Sequence, residues 1–205
     1  GLSDFILDLN GYRLFAVDTH AVKVAGNLTI LDSSADGGGY LEGYNIDSRD
    51  STTSAVYGEG NNFHVTVLGD VKLFGVKTFL SGKSSDDVSG GVFDLTQWNH
   101  VAGSTIYITH ETSTVYDSVL LPTGYALVDT DALVVWPGAT VKENKALTVT
   151  ECTTHAGGTA SCAEQAKCEI CGASYGQLDP DNHSINAEGD KPATCKDKAY
   201  CSVCK

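Results

Sequence analysis

The amino-acid sequence predicts an all-β protein: a β-solenoid, in which short strands stack turn upon turn, followed by small Cys/His modules with little regular structure. Three observations support this prediction. A short motif of apolar residues and glycine recurs in residues 1–150, the same residues lack a helical period, and all seven cysteines lie after residue 150. We therefore place the solenoid at 1–150, a first module at 151–178 and a second module at 179–205.

The recurring motif has apolar residues at its first and third positions and glycine at its fifth. Alternating apolar side chains turn one face of a strand inward, and the glycine permits a corner with positive φ. Stacking such units in parallel builds one continuous core that no single unit closes alone. The pattern extends furthest in two segments, so that 22–31 aligns with 65–74. The copies of the motif lie at 7–11, 22–26, 65–69 and 134–138.

Composition separates this fold from a helical one but not from every β fold. The 22 glycines, together with abundant Thr, Ser, Asp and Val, favour strands joined by tight turns. A helical fold is excluded because glycine or β-branched residues interrupt every window of about ten residues. A β-sandwich of short strands stays open as the alternative, since alternation and turn spacing are common to both β folds.

The charge of the chain excludes several classes of partner. The formal net charge is −13 at pH 7, and the only arginines are Arg13 and Arg49, so no basic stripe is present to neutralise phosphates. We expect no nucleic-acid partner and no attraction to anionic membrane surfaces. Because no run of about 18 apolar residues occurs, the sequence predicts no membrane insertion in this segment.

Several segments of residues 1–150 resemble a known family. Residues 5–12 read FILDLNGY, residues 26–34 read GNLTILDSS ahead of the triple glycine 37–39, and residues 90–93 read GGVF. These segments resemble the turns of right-handed parallel β-helix surface proteins from gut Firmicutes. The resemblance implies a right-handed parallel β-helix and an extracellular, cell-surface or secreted location. It implies little about activity, because function lies in sites carried by a fold.

The sequence offers little for catalysis. A polysaccharide-active enzyme needs two carboxylates at a set separation, or a calcium cluster beside a basic residue. The candidate pair Asp86 and Asp87 lies in a Ser/Gly-rich stretch typical of a solvated loop. We therefore predict that the segment is not an enzyme, and a fragment of a polysaccharide lyase or hydrolase is the less favoured alternative.

Aromatic residues offer a route to a sugar-binding surface. Trp98 lies in a polar stretch beside Gln97 and Asn99 and is the candidate for an exposed stacking side chain, whereas Trp136 fills an apolar position of the motif and is expected in the core. Histidines in or beside predicted strands lack metal spacing and are interpreted as surface or hydrogen-bonded residues: His20, His64, His100 and His110. The tyrosines that would extend an aromatic face are Tyr40, Tyr44, Tyr57, Tyr107 and Tyr116.

The C-terminal quarter contains two copies of one Cys/His arrangement, in which a histidine precedes cysteines spaced C-x5-C-x2-C. Three thiols and one imidazole are the four donors of a structural Zn²⁺ site, and three thiols cannot all pair as disulfides. Structural zinc, which contributes on the order of 10 kcal/mol, also explains how so short a segment folds. The first copy is His155, Cys162, Cys168 and Cys171, and the second is His183, Cys195, Cys201 and Cys204.

Cys152 offers a different first site. With His155 it forms a C-x2-H pair. Combined with the C-x2-C pair of the first copy, it would complete a zinc ribbon and leave Cys162 outside. The donor set common to both copies is the preferred interpretation and the ribbon is its alternative. A disulfide, for example between Cys152 and Cys162, is the other alternative in an oxidising environment.

This tail resembles the short Cys-rich repeats of gut Firmicute surface proteins. The second copy departs from their pattern, with Lys205 in place of glycine, and we expect it to be cut short. The matching segments are TASC at 159–162, CEICG at 168–172, YG at 175–176 and DPDNH at 179–183.

Together these features predict a non-catalytic structural or adhesive segment of a bacterial cell-surface protein, with structural Zn²⁺ in its Cys/His modules. A carbohydrate-binding module and a self-assembling extracellular fibre subunit are the alternatives. The predicted partners are a glycan, a host or neighbouring-cell surface, and further copies of the chain, which would associate through exposed strand edges.

Overall fold

A computed structural model describes residues 4–44, 53–59, 63–75, 80–83, 91–108, 114–115, 119–137, 140–141, 145–182, 191, 194–195 and 201. Every regular element among them is a β-strand, which confirms the all-β class. The chain divides into two compact units, Gly1–Glu151 and Cys152–Lys205. Among the described residues no helix has the length and apolar character needed to cross a membrane.

The strands are short and follow one another closely. The first eleven are β1 (Asp4–Asp8), β2 (Arg13–Val17), β3 (Val22–Val24), β4 (Asn27–Leu31), β5 (Tyr40–Tyr44), β6 (Val56–Glu59), β7 (His64–Gly69), β8 (Lys72–Gly75), β9 (Leu80–Lys83), β10 (Val92–Trp98) and β11 (Thr105–Ile108). The first unit continues with β12 (Thr114–Val115), β13 (Val119–Leu120), β14 (Tyr125–Val128), β15 (Val134–Val135), β16 (Thr140–Val141) and β17 (Lys145–Glu151). The second unit contributes β18 (Ala166–Lys167) and β19 (Ser174–Tyr175).

The described part of the first unit contains three sheets of three or more strands, which β1 to β9 enter in turn, and a separate antiparallel pair of β12 with β16. The first sheet has the order β1-β4-β7-β10-β13, the second β2-β5-β8, and the third β15-β14-β17-β11-β9-β6-β3. All pairs in the first two sheets are parallel, as are the pairs that join β3, β6, β9 and β11. Parallel pairing of this extent differs from the short antiparallel strands of a β-sandwich.

The register of these sheets aligns apolar residues of successive strands. Val65, Val56 and Ile106 are fully buried and belong to one apolar cluster of the first unit. Each such side chain contributes about 1.5–3 kcal/mol when it leaves water. The apolar residues aligned in register are Phe5, Leu28, Val65, Phe93 and Val119 in the first sheet, Leu14, Leu41 and Leu73 in the second, and Val22, Val56, Ile106 and Leu147 in the third.

A polar corner links the first sheet to the second. Gly11 has φ +80° and lies in the turn between β1 and β2, where the sequence predicts a glycine corner. The carboxylate of Asp32 accepts hydrogen bonds from the backbone amides of Gly11 (2.7 Å) and Gly39 (2.6 Å). A Cβ atom at Gly39 would lie 2.7 Å from both Asp32 Cγ and Leu9 Cβ, so this position admits only glycine.

In the aligned segments 22–31 and 65–74 each glycine joins two strands, as the sequence predicts, but at different corners. Gly26 separates β3 of the third sheet from β4 of the first, whereas Gly69 ends β7 of the first sheet, ahead of β8 in the second. Within these two segments the strands that pair are β4 and β7, with Leu28 opposite Val65. The two segments resemble each other because every corner joins alternating strands through a glycine, whichever sheets it connects.

Strand direction reverses at one end of the third sheet. Beyond β11 the neighbours β17, β14 and β15 all pair antiparallel. The predicted solenoid motif at 134–138 therefore falls in this antiparallel region. Trp136, which the motif places in the core, is 44 % exposed, so that prediction is wrong: β15 is an edge strand with no further neighbour to cover it in the described part of the chain.

Candidate metal centre

The second unit is built around a short hairpin that carries a C-x2-C pair. Strands β18 and β19 pair antiparallel, and Cys168 and Cys171 lie in the connection between them. The connection is tight: the amide of Gly172 donates to the carbonyl of Cys168 (2.8 Å), and Gly172 has φ +71°. The turn directs both thiols to one side, where both are buried.

A second segment brings two more donors to these thiols. The Nδ1 atom of His155 lies 3.6 Å from Sγ of Cys171 and 3.8 Å from Sγ of Cys152. The ligand atoms of Cys152, His155, Cys168 and Cys171 all lie within 4.8 Å of one another. The structure thus gathers three thiols and one imidazole around one point.

These distances fit a tetrahedral Zn²⁺ ion. With Zn–S bonds of about 2.3 Å and a Zn–N bond of about 2.0 Å, tetrahedral angles place a sulfur and a nitrogen roughly 3.6 Å apart and two sulfurs roughly 3.8 Å apart. The Sγ to Nδ1 separations of 3.6 and 3.8 Å lie within about 0.2 Å of the first value. Soft thiolates with one imidazole are donors that select zinc over calcium or magnesium.

Hydrogen bonds around the cluster fix the segment that carries His155 against the hairpin. The amide of Ala156 donates to Sγ of Cys168 (3.5 Å), and the carbonyl of Ala156 accepts from the amide of Glu169 (2.9 Å). The ring of Tyr175 stacks on His155 at 5.3 Å, and its hydroxyl donates to the carbonyl of Gly157 (2.5 Å). Such outer contacts orient ligands and hold the site in its binding geometry.

The thiols of the cluster ionise unequally. Burial raises the pKa of Cys168, but backbone amides, first that of Ala156, outweigh burial and lower the pKa of this thiol to about 6. Burial, reinforced by the neighbouring Cys171 thiol, raises the pKa of Cys152 to about 12. Thiols this close resist a second negative charge unless a cation lies among them, and zinc binding requires their deprotonated form. The electrostatics of the cluster therefore favour a bound cation.

The preferred first site of the sequence analysis is wrong in one residue. Cys152, not Cys162, joins His155, Cys168 and Cys171, as in the ribbon alternative. The C-x2-H spacing of Cys152 and His155 was the signal that identifies this set. The repeated C-x5-C-x2-C spacing favoured Cys162 instead. A spacing gives the order of the cysteines along the chain and does not show which thiols lie close together in the fold.

The remaining cysteines separate in the structure. Sγ of Cys162 lies 3.7 Å from Sγ of Cys201, which is buried, whereas Cys195 is exposed. Cys162 therefore lies beside a thiol of the second predicted copy. His183 and Cys204, the other predicted donors of that copy, lie outside the described residues.

The predicted exposure of Trp98, on which its proposed contact with a sugar depends, is wrong. Its side chain is only 3 % exposed, and Nε1 donates to the carbonyl of Val71 (2.7 Å). The hydrogen bond satisfies the indole N–H, so the ring packs in the apolar cluster despite its polar sequence neighbours.

Other candidate residues lie apart from the metal cluster. His20 stacks on Tyr57 at 4.4 Å and accepts a hydrogen bond at Nδ1 from the amide of Ser54 (3.1 Å), as expected of a hydrogen-bonded histidine. Burial lowers the pKa of His20, which favours this neutral form. His100 lies 3.8 Å from Asp70 at the surface. His64 is an exposed residue of β7. The candidates Asp86, Asp87, His110 and Tyr116 lie outside the described residues.

The Cys152, His155, Cys168 and Cys171 set is closed, since four protein donors complete a tetrahedron. No family model, curated protein or solved structure matches this chain. The functional argument therefore starts from the geometry of the donors and not from a relative.

Proposed function

We propose that the chain is a non-catalytic structural segment of an extracellular bacterial surface protein, in which a right-handed parallel β-helix is joined to modules held by structural Zn²⁺. The observation that carries the proposal is the Cys152, His155, Cys168 and Cys171 cluster. Four protein donors leave no open coordination position for water or substrate, so the ion serves the fold and not a reaction.

Burial in the second unit supports a structural role for the ion. Among its described residues, the buried positions are Ala166 and the cysteines Cys168, Cys171 and Cys201. Its strands, β18 and β19, have two residues each. A unit whose interior consists of thiols lacks the apolar burial that stabilises a small domain, and metal coordination supplies the missing free energy.

The arrangement of the first unit supports the β-helix. Strands β1 to β9 pass three times through the same three sheets, and each pass lies parallel to the one before. Ladders of aliphatic side chains fill the space that the sheets share. A stack of this kind forms a stiff rod, which suits a segment that presents other parts of a protein at a distance from the cell.

Acidic composition and the resemblance of residues 5–12 and 26–34 to surface proteins support the extracellular location. The expected result is that antibodies against the purified chain label intact cells of the source organism. Labelling that requires permeabilised cells would contradict this part of the proposal.

Metal analysis of the full chain tests the zinc centre. We expect native mass spectrometry of protein purified without chelators to detect Zn²⁺, and Cys152→Ser and His155→Gln each to lose one equivalent. Cys195→Ser is the matched control, because it removes an exposed thiol outside the cluster and should leave the zinc content unchanged. A wild-type chain that carries no zinc, with a mass lower by two hydrogens for each cysteine pair, would show disulfides and refute the proposal.

An exposed aromatic face favours carbohydrate binding as a second candidate function. On the outer side of the second sheet, Phe15 and Phe74 flank Glu42 in register and are 51 % and 42 % exposed. Arg13 pairs with Glu42 and lies over the ring of Tyr40, 4.5 Å from its centroid. Aromatic rings beside charged hydrogen-bonding groups are the chemistry that stacks on and orients a sugar.

Glycan-array binding tests this second candidate. We expect the double variant Phe15→Ala with Phe74→Ala to bind any recognised glycan at least tenfold more weakly, because truncating an aromatic anchor costs more than about 1 kcal/mol. Leu133→Ala is the control, since it removes an apolar side chain that is 64 % exposed outside this face. Equal binding by both variants, or no bound glycan, would exclude this function for the face.

A further inference from the structure

We propose that Cys162 and Cys201 bind a second Zn²⁺ ion. Cys162 belongs to the first predicted module, and Cys201 begins the last C-x2-C pair. One metal ion would then bind a thiol from each. This centre uses none of the residues of the first one, so either can be tested without the other. It would fasten together the two segments that the repeat pattern treats as separate modules.

The distance between the two sulfurs fits a shared ion. Sγ of Cys162 lies 3.7 Å from Sγ of Cys201, and two thiolates bound tetrahedrally to one Zn²⁺ lie roughly 3.8 Å apart. A disulfide would require about 2.05 Å. Cys201 is 8 % exposed and Cys162 is half-buried, so both sulfurs lie largely out of water.

Hydrogen bonds hold the segment that carries Cys162 in place. The amide of Cys162 donates to the carbonyl of Asn182 (3.1 Å), and the amide of Asp179 donates to the carbonyl of Ser161 (3.0 Å). The side-chain amide of Asn182 also donates to the carbonyl of Ala160 (2.6 Å). Residues 160–162 and 179–182 thus lie side by side across the predicted module boundary, which fixes the Cys162 thiol before any metal binds.

The pattern of the first centre supports the same arrangement for the second. In the first, Cys152 arrives from a separate segment to join the C-x2-C pair of Cys168 and Cys171. In the second, Cys162 arrives from a separate segment to join Cys201, which begins the next C-x2-C pair in the sequence. The preference of the sequence analysis for Cys195 as a donor does not fit this pattern, since Cys195 is exposed.

The sequence supplies further donors of the same kind. His183 directly follows Asn182, and Cys204 completes the C-x2-C spacing with Cys201. Both residues lie outside the described part of the chain. Spectroscopy of the metal-loaded protein therefore identifies the remaining donors, and the pair Cys162 and Cys201 is the part of the centre that we assign.

Zinc stoichiometry of the full chain tests the proposal. We expect wild-type protein to bind two equivalents, Cys162→Ser and Cys201→Ser to bind one each, and Cys152→Ser with Cys162→Ser to bind none. Cys195→Ser should retain two. One equivalent in wild type, lost in Cys152→Ser, would overturn the second centre and leave the first, whereas no zinc in wild type would overturn both.

A measurement on unmodified protein covers the case in which a variant fails to fold. In the zinc-loaded chain we expect iodoacetamide to alkylate Cys195 rapidly and to leave Cys162 and Cys201 intact until a chelator is added. Cobalt substitution should give thiolate charge-transfer bands for two ions. Rapid alkylation of Cys162 in the loaded chain, or a disulfide-linked peptide containing Cys162 and Cys201 in protein that has met no chelator and is digested under non-reducing conditions, would refute metal binding at this pair.

Discussion

Asp32 joins two consecutive passes of the chain through a single carboxylate. Burial raises the pKa of Asp32, but the amides of Gly39 and Gly11, which donate to it, outweigh burial and lower its pKa to about 2. The folded state thus favours the ionised form. Because the folded pKa lies below the ordinary value of 3.8, the resulting stabilisation is present above about pH 4 and is lost as the pH falls towards 2.

We expect Asp32→Asn to lower the melting temperature of the first unit by several degrees at pH 7, because an amide oxygen accepts these hydrogen bonds more weakly than a carboxylate. The difference from wild type should shrink between pH 4 and pH 2, where wild type loses the same charge. Thermal melts followed by circular dichroism across this range measure both effects. Asp36→Asn, an exposed neighbour, is the charge-matched control, and an equal loss of stability in it would contradict the role given to Asp32.

The two tryptophans show that the polarity of a residue's sequence neighbours does not determine whether its side chain is buried. Trp98 has polar neighbours and is buried, whereas Trp136 has apolar neighbours and is exposed. An indole has one polar atom, so a single carbonyl acceptor, here that of Val71, is enough to bury the ring. That acceptor is 27 residues away, and local sequence does not reveal it.

At the scale of single elements, Gly158 controls how closely the segment carrying His155 approaches β18. It has φ +72°, and a Cβ atom there would lie 2.2 Å from the carbonyl oxygen of Lys167. Its amide donates to the Glu169 side chain (3.0 Å). Close approach of these two backbones is what brings His155 within reach of the hairpin thiols.

We expect Gly158→Ala to weaken zinc binding at least tenfold, because the added methyl group pushes the segment carrying His155 away from β18. Gly176→Ala is the matched control, since Gly176 has φ +75° but no atom within 4 Å of its Cβ position. The control shares the cost of an alanine at positive φ, about 1–2 kcal/mol, without the clash. Competition with a chromophoric chelator measures both affinities, and equal losses would contradict the proposed contact.

Prediction of the strands from sequence succeeded where the pattern is local and failed where it is not. The alternation in 7–11, 22–26 and 65–69 correctly predicts strands and glycine corners. It does not tell which sheet each strand enters, because successive passes of the chain differ in length and every corner has similar chemistry. Pairing of β4 with β7 depends on their matching apolar faces, which many other registers share.

At the scale of the whole molecule, the two units depend on different sources of stability. The first contains the apolar cluster, and the second has buried thiols around its candidate metal centre. The division after Glu151 places every cysteine in the second unit. Loss of metal should therefore affect one unit alone.

We expect a chelator to abolish the thermal transition of the second unit and to shift that of the first by less than about one degree, because structural zinc sites contribute folding free energy outright. Differential scanning calorimetry with and without the chelator measures this, and adding zinc back should restore the lost transition. A first-unit transition that moves with metal content would show that the units do not unfold independently.

The spacing of cysteines and histidines predicts the kind of metal site more reliably than it predicts which residues form it. Cysteine and histidine spacing correctly predicts a Cys3His cluster that includes His155, Cys168 and Cys171. The choice of the third thiol is less certain from sequence, because Cys152 and Cys162 both lie within a loop's reach of the hairpin and only the C-x2-H spacing with His155 favours Cys152. Hydrogen bonds from residues 160–162 to residues 179–182 draw Cys162 away, and these contacts have no sequence signal.

Because strand direction reverses at one edge of the third sheet, the two edges of this sheet differ in the strand that each could accept. On one side of this sheet the antiparallel β17 covers β11, so another parallel layer cannot be added there. On the opposite side β3 has one neighbour among the described strands, and that neighbour, β6, is parallel to it. The free edge of β3 is therefore where a further strand could continue the parallel pairing of this sheet.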